Sequence, residues 1–161
     1  MHNYGNAMLR AALIALALIL SAAPVSAGVW EDADAAFSHG DYAEAMRLWR
    51  HLAEQGDAAA QGAIGMMYDI GKGVPEDDAE AAKWYRMAAE QGKANAQFVL
   101  GLKYVYGEGV PQDYVAAHMW LNLAAAQGWA AAKKDRDIVA KRMTREQIAE
   151  AQRLAREWKP K

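Results

Sequence analysis

The chain has 161 residues, 53% hydrophobic and 24% charged, with a net charge of −2 and no cysteine. That length suits one domain, and the composition excludes a disulfide framework and any lipid attached through cysteine. No strong basic field is present to attract nucleic acid.

The first predicted element is an export signal. Arg10 precedes an uninterrupted apolar run from Ala11 to Leu20, and Val25-Ser26-Ala27 has the small-x-small form of a cleavage site. The run falls short of the roughly 20 apolar residues needed to span a bilayer. Residues 1–27 are therefore expected to be a signal peptide cleaved near Ala27. The remaining chain would be periplasmic or secreted, with one more negative charge once Arg10 is gone.

Beyond that point the sequence repeats itself. Ala58-Ala-Ala-Gln-Gly-Ala-Ile-Gly-Met-Met-Tyr68 is answered 36 positions later by Ala94-Asn-Ala-Gln-Phe-Val-Leu-Gly-Leu-Lys-Tyr104. Gly71-Lys-Gly-Val-Pro-Glu-Asp77 returns as Gly107-Glu-Gly-Val-Pro-Gln-Asp113, and the run from Trp84 to Gly92 returns from Trp120 to Gly128. A fixed period of this length marks a stack of small units, none able to bury its apolar face alone. Residues 28–57 read as a half unit, 58–93 and 94–129 as full units, and 130–161 as a degenerate unit with a C-terminal capping helix.

Each unit is predicted to be helix–loop–helix. Ala96, Leu100 and Tyr104 recur at i, i+4, i+8 on one helix face, with Gly101 beside them. Gly107 ends that helix, Gly109 allows a second sharp turn, and Asp41, Asp77 and Asp113 stand where the next helices need N-caps. Glu44 and Glu80, three residues after their aspartates, suggest capping boxes. Trp84 and Trp120 are expected between units. In the last helix, Thr144 is the expected cap, and Ile148, Ala151, Ala155 and Trp158 form a stripe expected to cover the open end of the stack.

The alanine-rich first helix, the Leu100-Gly101-x-x-Tyr104 core, the Gly-x-Gly-Val loop and the Trp-Tyr…Ala-Ala-x-Gln-Gly tail resemble the Sel-one-like repeat family, a relative of the tetratricopeptide repeat. The resemblance covers roughly Asp41 to Ala132. It implies an all-α fold, an α-solenoid wound as a right-handed superhelix, whose first helices line a concave surface for protein partners. Cysteine-rich members have been associated with penicillin binding or hydrolysis, but the paired cysteines of that branch and a Ser-x-x-Lys motif are both missing here.

Little in the sequence suggests chemistry. Downstream of Ala27 there is one serine, Ser38, and one threonine, Thr144, while His39, His51 and His118 are scattered. No metal, cofactor or catalytic residue is assigned, and the expected function is that of a non-enzymatic adaptor or scaffold. The partner is expected to be a protein or peptide, with Phe98, Lys103 and Tyr106 as contact residues. An envelope glycan, met by Trp49, Trp129 or Tyr106, is the alternative. Leu102 and Val105 are expected to pack between units. The basic stretch of Lys133, Lys134, Arg136, Lys141, Arg142 and Arg145 reads as a solvated helical face.

Overall fold

The computed structural model describes residues 25–161, so the predicted signal segment lies, up to residue 24, outside the described residues. These fold into eight helices with no strand among them: α1 Val25–Ser38, α2 Tyr42–Glu54, α3 Ala58–Ile70, α4 Asp78–Glu90, α5 Ala94–Tyr106, α6 Tyr114–Ala126, α7 Ala130–Ala140 and α8 Arg145–Glu157. From α1 to α7 successive helices pack on one another. The result is an all-α solenoid in which first helices (α1, α3, α5, α7) alternate with second helices (α2, α4, α6).

The helix ends follow local chemistry. Asp41, Asp57, Asp77 and Asp113 each accept a hydrogen bond from a free N–H of the following first turn. Gly71 and Gly107 close α3 and α5 in the left-handed region, at φ 60° and 73°. The expected capping boxes at Glu44 and Glu80 do not form. Their carboxylates turn to the basic side chains three residues on, Arg47 and Lys83, each at 2.6 Å. The reciprocal box forms at Thr144, whose hydroxyl accepts from Gln147 N–H while the Gln147 side chain accepts from Thr144 N–H.

Packing inside the stack repeats with the sequence. Gly65 lies flat against the Tyr85 ring, and a Cβ there would sit 3.1 Å from it; one unit later a Cβ on Gly101 would sit 2.8 Å from Leu121. Fully buried Gln97 donates to the Ala89 carbonyl at 3.2 Å and accepts from Gln127 at 2.8 Å. Gln61, also buried, does the same with Ala53 and Gln91. This glutamine ladder ties each first helix to the second helices on either side and satisfies the amides that burial would otherwise strand. Arg50 donates to the Tyr68 hydroxyl and Arg86 to that of Tyr104, again one period apart.

The C-terminus departs from the expected cap. Helix α8 does not pair with α7 but packs on α6. Ala151 and Ala155 are buried, and Trp158 meets Trp120 edge-on at 6.3 Å. Lys161 then reaches back to Glu90 at the end of α4 through both its N–H and its ammonium, each at 2.9 Å. The apolar stripe therefore covers the second helices and leaves the outer side of α7 open.

Candidate functional site

Two depressions on the described surface are lined by the first helices. The larger, about 460 Å³, runs across α1, α3 and α5. Trp30, Asp34 and Phe37 form one wall, Lys93, Asn95 and Val99 the other, and Ala59, Gly62, Ala63 and Met66 lie between. Trp49 and Tyr85, from second helices, also line it. Its small residues come from the alanine-rich start of α3, which leaves the middle of the groove low. It is mainly apolar and aromatic, with one unlike charge on each wall, a composition suited to holding a ligand by burial and orienting it by a few polar groups.

The second depression, about 390 Å³, surrounds Lys103 and is lined by Asp69, Glu76, Asp78, Glu108 and Tyr106, among others. Lys103 is only 3% exposed. Its ammonium contacts the carboxylates of Asp69, on α3, at 2.6 Å and Asp78, on α4, at 2.9 Å. Burial works against the charge on Lys103, but the two carboxylates outweigh it and hold its pKa above the ordinary lysine value. One period back the same three places hold Met67, Ala33 and Tyr42; one period on they hold Val139, Val105 and Tyr114. A joint that is apolar in the neighbouring units is thus ionic in this one.

These contacts correct the view of Lys103 as a contact residue: its charge is already engaged inside the stack, so it is not open to a partner. Phe98 is half-buried and packs on Trp129, ring centroids 5.9 Å apart, within the apolar cluster between α5 and α7. Tyr106 is 66% exposed at the rim of the Lys103 depression. The three residues therefore do not form one surface. Val105 is buried and Leu102 packs on the same α5–α7 cluster. Trp49 is 3% exposed and presents no flat face for a sugar ring.

The Sel1 repeat family matches residues 38–57, 58–93 and 94–129, more than half of the chain. The chain belongs to the Sel1 repeat family. Sel1 repeats generally mediate protein–protein interaction and serve as non-catalytic scaffolds. Among solved structures, the Sel1 chain is similar to a protective antigen present in uropathogenic Escherichia coli strains that displays an SLR fold. The two share 32% identity with a TM-score of 0.78, over 84% of this chain and 30% of the antigen. It is also similar to a Sel1 repeat protein from Oxalobacter formigenes, at 32% identity and TM-score 0.66, over 81% of this chain and 56% of that one. The chain thus spans under a third and just over half of the lengths of these two Sel1 relatives. No curated protein matches it.

The Ser38 hydroxyl donates to the Asp34 carbonyl of its own helix, and Thr144, beyond the last Sel1 unit, is occupied as a cap. Among the described residues no group of three or more His, Asp or Glu side chains is placed to hold a metal ion, and no helix is long and apolar enough to cross a membrane. Sequence reasoning missed the α1 wall of the groove. Trp30 and Phe37 lie ahead of the first recognisable repeat, and only the fold brings them opposite α5.

Proposed function

We propose that this chain is a non-enzymatic adaptor of the bacterial periplasm, or a secreted one, that holds a protein or peptide partner in the groove across α1, α3 and α5. The observation that carries this reading is the groove itself: an open, largely apolar channel lined by first helices of three successive units. A partner segment laid there would be touched by Trp30, Phe37, Met66 and Val99, with Asp34 and Lys93 setting its direction. The export signal predicted over residues 1–27 supports the location.

Affinity purification from a native cell envelope tests the reading, using the parent chain beside two variants. Ala59→Arg with Asn95→Arg crowds the groove with charge, while Phe98→Ala with Tyr106→Ala leaves it open. A partner enriched by the parent, kept by the second variant and lost with the first supports the groove. Equal recovery with all three overturns it. Sequencing of the N-terminus after expression tests the location, with Gly28 as the expected first residue.

A further inference from the structure

Two glycines of α3 behave differently. Gly65 is needed by the stack, because a side chain there would strike Tyr85. A Cβ on Gly62 would meet nothing within 4 Å. A glycine inside a helix loosens it relative to alanine, and no internal contact requires one at Gly62. What it does is keep the middle of the groove empty.

The next unit shows what fills such a place. The residue one period after Gly62 is Phe98, and the residue one period after Lys93 is Trp129. Lys93 and Trp129 hold the same position, the N-cap of a first helix. Between α5 and α7 the pair Phe98–Trp129 closes the joint ring against ring. Between α3 and α5 the equivalent pair is Gly62–Lys93, and both residues line the open groove. One joint carries its own aromatic plug; the other lacks the ring and has an ammonium in place of the second ring. Lys93 makes no ion pair among the described residues, since none of the salt bridges includes it.

We infer that the groove is a receptor for one aromatic side chain of a partner protein segment, seated over Gly62 as Phe98 is seated in the next joint, with a carboxylate beside it paired to Lys93. This inference rests on the proposed groove and names what it takes. Met66, Val99 and Tyr85 supply apolar contact for the ring. Lys93 on one wall attracts the partner's acid, and Asp34 on the other repels it, so the aromatic residue and its acidic neighbour enter in one orientation.

The test selects a phage-displayed library of random dodecapeptides on the full chain, then measures the affinity of the enriched peptides for four forms. Expected are peptides sharing an aromatic residue with Asp or Glu close by, weakened at least tenfold by alanine at that aromatic. Gly62→Phe, which plugs the joint from within, should weaken them at least tenfold as well. Lys93→Glu, an exposed substitution compatible with folding, should weaken them several-fold and shift selection toward basic flanks. Peptides that lose binding to Ala59→Arg with Asn95→Arg, yet bind folded Gly62→Phe or Lys93→Glu as they bind the parent, would overturn the aromatic receptor and leave the groove standing. Peptides indifferent to all variants, or no enrichment, would overturn both. If Gly62→Phe does not fold, the peptide alanine scan and Lys93→Glu decide.

Discussion

The side-chain amide of Gln127 donates to the Gln97 side-chain oxygen at 2.8 Å, and Gln91 and Gln61 repeat the bond at the same distance one unit earlier. Both acceptors are buried, and each also donates to a carbonyl of the preceding helix. Replacing Gln97 by leucine removes both side-chain bonds of a fully buried amide, while Gln127, which is exposed, keeps its bond to the Gly92 carbonyl and the Ala89 carbonyl keeps the Gly92 N–H. The net loss of two such bonds is about 1–3 kcal/mol. Thermal or urea unfolding of Gln97→Leu should show that loss. A change under 0.5 kcal/mol, the usual scatter for a surface site, would mean the ladder adds nothing.

The paired glycines predict opposite signs within one helix type. Gly101→Ala drives a methyl to 2.8 Å from Leu121 and should destabilise by about 1–3 kcal/mol. Gly62→Ala adds a methyl in open space and should stabilise by about 0.5–1 kcal/mol, because the helix gains alanine's propensity without a clash. Urea unfolding of the two variants side by side tests this, and a loss in both would sink the distinction.

Lys103→Met leaves Asp69 and Asp78 without their cation. Asp78 is about half exposed, so the expected cost is on the order of 2 kcal/mol, below that of a fully buried pair. Copying the next joint whole, with Asp69→Val, Asp78→Tyr and Lys103→Val, should recover most of that loss. Failure of the triple variant to exceed Lys103→Met in stability would show that the three groups do not act as a set.

His118 makes one joint sensitive to acid. It is 3% exposed on α6, and its Nδ1 has no partner among the described residues. Burial pushes its pKa down, the Arg136 charge pushes it further, and Asp137 opposes them. The unfolded chain, at about 6.5, therefore takes up its proton at a higher pH than the folded chain does. This group costs no stability well above pH 6.5, and stability falls as pH drops below that value through the lowered folded pKa. His118→Met, which places in α6 the residue type found two periods earlier at Met46, should flatten the slope below about pH 7. An unchanged slope would remove His118 as its source.

Features set by neighbours along the chain were legible in the sequence. The aspartate caps, the glycine helix ends and the Thr144 box depend on residues three or four apart, and the period of 36 revealed the stack. The Glu44 and Glu80 boxes failed on an equally local competition, because Arg47 and Lys83 offered each carboxylate a full charge rather than a backbone N–H. Lys103 was misread because its partners lie 34 and 25 residues back; only the apolar Met67 and Val139 at the same place hint that it is interior. The groove wall from α1 carried no repeat signature, and the folding of α8 onto α6 depends on Trp158 finding Trp120 across 38 positions.

The Lys103–Asp69–Asp78 contact also bears on the order of the units. Lys103 belongs to residues 94–129 and both aspartates to 58–93, so the contact forms only when one unit directly follows the other. With the two exchanged, the lysine would face the places now filled by Ala33 and Tyr42, burying a lone ammonium, and Asp69 would meet Val139. Two segments that look interchangeable in sequence are therefore keyed, and a permuted array would be penalised at its two outer seams.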